Sequence, residues 1–222
     1  MAPIYANLLF SSLFPSRCIS CDAICGDLIF CDFCNSTIRV SAHAAAGGVS
    51  SGFHYAAAIR NAMLRIKFTP CEQSGRSLLR YWQQHHSENF TAALHPQGIS
   101  AVCFVPLHWR RRLTRGFDLS SLFARALGRA LQLPVLDVLQ CTRFDPPLSL
   151  ALSKQDRLLR TQNRYRLTDS SFSPAEVLLV DDICTTGATL DSAAIPLLEH
   201  GIRVRKYALA QALIKEKSHD TI

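Results

Sequence analysis

Strands alternating with helices across residues 99–210 predict an α/β protein built on a mainly parallel sheet flanked by helices. Two apolar runs carry that prediction, ISAVCFVPL (99–107) and EVLLVDDI (176–183), because each reads as a buried strand with a helical segment following. A third observation stands apart from this pattern. Five of the nine cysteines fall between positions 18 and 34, ahead of both runs, and predict a small separate module.

The elements follow in order. Residues 1–14 read as a short amphipathic helix and 17–40 as the cysteine module. SAHAAAGGVSSG (41–52) is small and glycine-rich, the composition of a linker. Tyr55 to Phe68 places Ile59, Met63 and Ile66 at helical spacing, and Gly75 to His85 reads as helix too. After the strand of 99–107 and its proline-bearing loop, Leu119, Leu122, Phe123, Ala126, Leu127 and Ala130 line one helix face. Val138 to Arg143 is a short strand and Ser153 to Gln162 a helix. The strand of 176–183 ends in two acids, Thr189 to Glu199 is a helix closed by Gly201, and Arg203 to Ala210 is the last strand. The expected organisation is a helix and cysteine module (1–40), a linker (41–54), the α/β domain (55–214) and a polar tail (215–222).

Composition narrows the function classes. The chain has 222 residues, 48% hydrophobic and 18% charged, enough for a sizeable core and too apolar for disorder. No run approaches the length of a membrane-spanning helix. The stretch MAPIYANLLFSSLFPSR has no basic residue before its apolar part and no small-residue cleavage site, so a cytoplasmic protein is expected. The formal net charge of +7 is concentrated in residues 51–150, with its densest point at Arg110, Arg111, Arg112 and Arg115. That cluster fits a solvated helix face, a polyphosphate pocket or a nucleic-acid surface, and charge alone does not choose.

In a reducing compartment, clustered cysteines read as metal ligands rather than disulfides. Cys18-x2-Cys21 and Cys31-x2-Cys34 are two pairs of the kind that close a tetrahedral zinc shell. Four protein ligands leave no place for water, so the expected Zn²⁺ is structural. Cys25 is read as a non-ligand.

The most informative segment is Val177 to Leu190. Asp181 and Asp182 stand at the carboxyl end of a strand, where open α/β sheets place their ligands. Thr185, Thr186, Gly187, Ala188 and Thr189 follow as a loop opening a helix, which can aim N–H groups and hydroxyls at a phosphate. Two carboxylates beside a phosphate suit sugar hydroxyls and hydrated Mg²⁺, so the constellation reads as a ribose 5-phosphate site. The same residues also fit a plain helix N-terminal cap.

Residues 177–190 resemble the phosphoribosyl pyrophosphate (PRPP) motif of type I phosphoribosyltransferases. The chain more widely resembles the ComF family of ComFC- and GntX-like proteins. The matching features are the four paired cysteines, Tyr55 with Lys67-Phe68, Val105-Pro106-Leu107, Arg115-Gly116-Phe117, and Gln155, Arg160 and Asn163. The resemblance implies a type I phosphoribosyltransferase-like parallel sheet with an N-terminal zinc finger. It implies the 5-phosphate on Thr185 to Thr189, the ribose hydroxyls on Asp181 and Asp182, and Mg²⁺ bound with PRPP. Pyrophosphate falls on Pro106, Leu107 and His108, with Arg110, Arg111 and Arg112 as partners. A closing loop is expected between Arg143 and Asn163, carrying Lys154, Arg157 and Arg160.

Two departures stand out. Asp118 replaces the asparagine common after Arg-Gly-Phe, which adds an acid near an anion site unless it points elsewhere. Thr185 stands where purine-salvage enzymes of this fold carry an acid, so no general base is legible. Cys184 reads as a small buried hydrophobe, and His85, His86 and His108 have no fixed role. Two alternative functions are therefore expected. One is phosphoribosyl transfer to an unknown acceptor with release of pyrophosphate. The other is a non-catalytic PRPP sensor that contacts single-stranded DNA or a DNA-processing protein in natural transformation, with Trp109 and Phe117 as its aromatic residues.

Overall fold

The computed structural model describes residues 16–41, 48–93, 98–144, 164–169, 171–172 and 174–212, with backbone alone over 86–93. The helix expected at 1–14, the helix at 153–162, most of the closing loop and the tail lie outside the described residues.

Five strands form one parallel sheet in the order β1 (Val49–His54), β7 (Arg203–Gln211), β6 (Glu176–Cys184), β2 (Ala101–Phe104) and β3 (Val135–Leu136). Strand β6 is central, and Val177 to Val180 are fully buried, which explains its unbroken apolar run. Alternation along β6 divides the core in two. Leu178 and Val180 pack with Ile59, Met63 and Ile66 of α2 (Ala57–Phe68), Leu78 and Trp82 of α3 (Glu72–Ala93), and Phe123 and Leu127 of α5 (Leu119–Leu131). Val177 and Leu179 pack with Leu190, Ala193 and Leu197 of α6 (Ala188–Glu199) on the other face. The fold class is thus the one the strand–helix alternation implies. Among the described residues, no helix is long and apolar enough to cross a membrane.

The strand expected at 138–143 is β4 (Leu139–Cys141). It pairs antiparallel with β5 (Tyr165–Leu167) in a separate two-stranded ladder rather than joining the main sheet. A short helix, α4 (Trp109–Arg115), occupies the arginine cluster and ends at Gly116 with φ +74°. Helix α3 runs longer than expected at both ends.

The linker expected over 41–54 is corrected: its second part is β1, an edge of the parallel sheet, with Phe53 wholly buried. Small residues are needed there by packing rather than for flexibility. A Cβ on Gly52 would lie 2.7 Å from the Trp82 indole nitrogen and 3.0 Å from the Leu209 carbonyl. The outer side of β1 is in turn covered by the exit of the cysteine module. Ser41 N donates to Gly52 O and His54 N to Arg39 O, so the sheet edge is not left bare.

The cysteine module contains α1 (Asp32–Ser36) and packs on the domain instead of standing apart. Cys18, Phe30 and Cys34 belong to the same buried cluster as Tyr81. Phe30 meets Tyr81 edge to face at 4.8 Å, and the Tyr81 hydroxyl donates to Asn35 Oδ1 at 2.5 Å.

Gly52→Ala is expected to destabilise the protein by about 1–3 kcal/mol, because Trp82 cannot retreat without strain. Urea unfolding measures this. An unchanged midpoint would show that residue 52 lies in flexible chain.

Candidate functional site

Parallel pairing of β2 with β6 sets Phe104 beside Val180, so the ends of both strands open onto the same place. Val105 N donates to Val180 O at 2.9 Å and keeps the two strand ends together. They border a cleft of about 330 Å³. Asp181, Asp182, Thr185 and Thr189 line it from the β6 end, and Pro106, Leu107 and His108 from the β2 end. Arg111 and Arg115 of α4 and Lys67 of α2 bring positive charge to the same walls. Arg143, Arg164 and Tyr165, from the β4–β5 ladder, close the far side.

The diacid is held in an electrostatic frame. Asp182 Oδ2 pairs with Lys67 Nζ at 2.8 Å in a largely enclosed setting. Asp181 is 7% exposed, and burial together with the neighbouring Asp182 charge raises its pKa to about 8, against the pull of Lys67. Its Oδ1 accepts from Ser120 Oγ at 3.0 Å and from Asp182 N at 2.8 Å. Burial also draws the Arg115 pKa down from its ordinary value, and attraction from Asp182 opposes that. Buried carboxylates of this kind call for a cation or hydroxyl donors.

Beside the diacid, Thr185, Gly187, Ala188 and Thr189 surround a smaller hollow at the N-terminus of α6. Gly187 caps that helix with φ +83°, a backbone conformation that favours glycine. Asp191 in the first turn would oppose an anion there, but Lys206 Nζ is 2.6 Å from its Oδ1.

Of the residues expected to bind pyrophosphate, Arg110 and Arg112 do not line the cleft and are exposed. Arg110 instead lies over the rings of Trp109 and Phe144, at 5.2 and 5.6 Å. Helical rotation explains the difference, since Arg111 and Arg115 are four apart and share the inward face of α4. Thr186 is exposed outside both hollows, with Oγ1 accepting from Ala188 N at 3.5 Å. Sequence reasoning did not assign Lys67, Arg115, Arg164 or Tyr165 to the site. The Lys67-Phe68 and Arg115-Gly116-Phe117 matches were the available signals for the first two.

Asp118 does not line the cleft. It caps α5, with Oδ1 accepting from Ser120 N and Ser121 N and Oδ2 from Leu107 N. Burial raises its pKa, and the Leu107 N–H works against that rise. Phe117 is corrected as a nucleic-acid contact, because it is buried in the core under α5. His85 stacks on Tyr81, within the packing around the cysteine module. Cys184 is buried, and burial pushes its thiol pKa up.

The Sγ atoms of Cys18, Cys21, Cys31 and Cys34 all lie within 4.8 Å of one another. The Cys21–Cys31 separation is 3.7 Å, close to the roughly 3.8 Å edge of a tetrahedron with zinc–sulfur bonds of about 2.3 Å. The four thiols therefore fit a structural zinc. Cys25 turns away and donates its thiol hydrogen to Leu28 O at 3.0 Å.

No family model matches the chain. It is similar to competence protein F of Haemophilus influenzae, 31% identical over 115 residues that make up 50% of each chain. It is also similar to competence protein ComFC of Bacillus subtilis, 26% identical over 151 residues, covering 68% of this chain and 58% of that one. The chain spans about half the length of the curated relatives it matches. Among solved structures, an adenine phosphoribosyltransferase aligns with a TM-score of 0.38 at 17% identity, over 65% of this chain and 73% of that one. An orotate phosphoribosyltransferase from Aeropyrum pernix aligns at 0.36 and 16% identity, over 80% and 77%.

Two predictions follow from the electrostatics and the cysteines. Between pH about 4 and about 8 the unfolded chain ionises residue 181 while the folded one resists, so this group lowers stability as pH rises. Asp181→Asn is thus expected to raise the thermal midpoint at pH 8 and leave it nearly unchanged at pH 4; equal shifts at both would contradict the raised pKa. Cys31→Ser is expected to reduce zinc from about one equivalent to near none by elemental analysis, and to lower the midpoint by on the order of 10 °C. Metal-free wild type with an unaltered midpoint would contradict the zinc assignment.

Proposed function

We propose, from its kinship with the ComF-type competence proteins, that this chain is a phosphoribosyltransferase-like protein whose cleft binds PRPP. One observation carries the proposal: a buried diacid at the end of the central strand shares its cleft with a hydroxyl-rich helix N-terminus and the arginines of α4. These three features, an anion site, carboxylates and a second anion site, match the groups along PRPP.

In this reading Thr185, Thr189 and the α6 amides receive the 5-phosphate, assisted by the helix dipole. Asp181 and Asp182 accept from the ribose hydroxyls, and Lys67 exchanges part of its pairing with Asp182 for the ligand. The loop of Pro106 to His108 borders the pyrophosphate and Arg111 and Arg115 hold it, the Leu107 N–H being already engaged by Asp118. Mg²⁺ bound with the pyrophosphate supplies charge neutralisation, and Zn²⁺ on the four cysteines is structural. When the anomeric carbon–oxygen bond breaks, positive charge develops on the ring and negative charge on the departing pyrophosphate. The diacid stands beside the first and the arginines beside the second, which is the arrangement transition-state stabilisation needs. Thr185 offers no carboxylate for proton transfer, so the acceptor must ionise by another route or need no base.

A second reading is favoured by the surface beside the cleft. Trp109 is 57% exposed and Leu113 75%, and Arg110 lies over the rings of Trp109 and Phe144. Exposed aromatics interleaved with arginines suit the bases and backbone of single-stranded DNA. With relatives named as competence proteins, this supports a PRPP-responsive role in DNA uptake, with DNA or a DNA-processing protein as partner.

Mg²⁺ with PRPP is expected to raise the thermal midpoint of the wild type, and Asp181→Ala with Asp182→Ala to abolish that shift. A shift retained in the double variant would overturn the assignment of the ribose. Pyrophosphate release with a panel of nucleobases, above the level without acceptor, would mark the protein as a transferase. Salt-sensitive binding to single strands, weakened severalfold by Trp109→Ala with Arg110→Ala, would support the second reading.

A further inference from the structure

The two halves of the cleft sit on different strand ends, yet both are tied to the N-terminus of α5 by side chains that do not line it. Asp118 Oδ2 accepts from Leu107 N at 2.8 Å, while its Oδ1 caps the helix through Ser120 N at 3.0 Å. Ser120 Oγ donates to Asp181 Oδ1 at 3.0 Å and accepts from Asp182 N at 3.2 Å. A helix cap needs only the helix N–H groups. The bond to Leu107 spans 11 residues of chain and the bond to Asp181 spans 61, so neither belongs to the cap. Both Asp118 and Ser120 are buried, where each such bond counts for more and its loss leaves a partner unsatisfied.

We infer that Asp118 and Ser120 are positioning residues for this cleft, Asp118 setting the β2 loop through Leu107 and Ser120 setting the diacid through Asp181 and the Asp182 backbone. The inference rests on the reading of the cleft as a PRPP site and assigns each residue to one half of it. Asp118 holds the loop that receives pyrophosphate. Ser120 consumes one lone-pair direction of Asp181 Oδ1 and shares the Asp182 amide with that oxygen, which fixes where the remaining carboxylate oxygen faces. Because two positions of one helix end, Asp118 and Ser120, carry both ties, the distance between the two subsites is set by α5 rather than by the strand ends alone. Substituting either residue should disturb one subsite selectively.

The test is calorimetric titration of inorganic pyrophosphate and of ribose 5-phosphate, each with Mg²⁺, into the wild-type chain and into Asp118→Asn and Ser120→Ala. Asparagine keeps an acceptor for the helix N–H groups but presents an amide to Leu107. Asp118→Ser also keeps the cap and is too short to reach Leu107, so it serves if the asparagine variant is unstable. Asp118→Asn is expected to weaken pyrophosphate about 5–10-fold and ribose 5-phosphate less than about twofold. Ser120→Ala is expected to show the opposite split. Equal weakening of both ligands, or no change in either, overturns the inference while leaving the PRPP reading intact. Failure of the unmutated chain to bind either ligand overturns the PRPP reading itself, and the inference with it.

Discussion

Two carboxylates on consecutive residues, both buried at the end of the central strand, are the constraint around which this molecule is arranged. Desolvated beside the Asp182 charge, Asp181 resists ionisation. The structure answers with Lys67 from α2, the Ser120 hydroxyl from α5 and the positive field of Arg115 from α4. Three helices are thereby committed to one strand end. A fold under no functional demand would place apolar residues there, as it does at Val177 to Val180 immediately before them in the same strand. The strain is understandable if a ligand's hydroxyls and cation complete the site.

The cysteine module is part of the same economy of contacts. Cys18 and Cys34 are buried against Phe30 and Tyr81, and residues 39–41 shield the edge strand β1. A metal on the four thiols would therefore brace the side of the sheet from which α2 emerges, and Lys67 lies at the far end of α2. The Arg65–Asp22 pair at 2.8 Å adds a direct tie between that helix and the module. The four-cysteine site and the cleft are separate in chemistry but share a helix.

Much of this was legible from residues because the signals were local. An unbroken apolar run, a following diacid and a Thr/Gly loop specify β6 and the start of α6 with no knowledge of neighbours. The two Cys-x2-Cys pairs do the same for the metal cluster. What could not be read depends on convergence. Strand β1 looked like a linker because Gly52 responds to Trp82, which is remote from it in sequence. Lys67 and Arg115 reach the cleft through the rotation of helices whose docking the sequence does not state. Arg110 and Arg112 belong to the same charge run, but the helical turn directs them outward. Asp118 looked like an electrostatic liability until its three N–H partners were visible.

The claim that PRPP is seated on a buried diacid whose Asp181 holds a proton in the free protein is tested most directly by counting protons on binding. Calorimetry of Mg²⁺–PRPP at pH 7.5 in two buffers of different ionisation enthalpy gives that count, once the ligand's own titration is subtracted. Ribose hydroxyls donate to ionised carboxylates, so Asp181, held near a pKa of about 8 in the free protein, must give up its proton. The account predicts release of roughly 0.5–1 proton per PRPP bound. Binding with no proton release, or with net uptake, would contradict it.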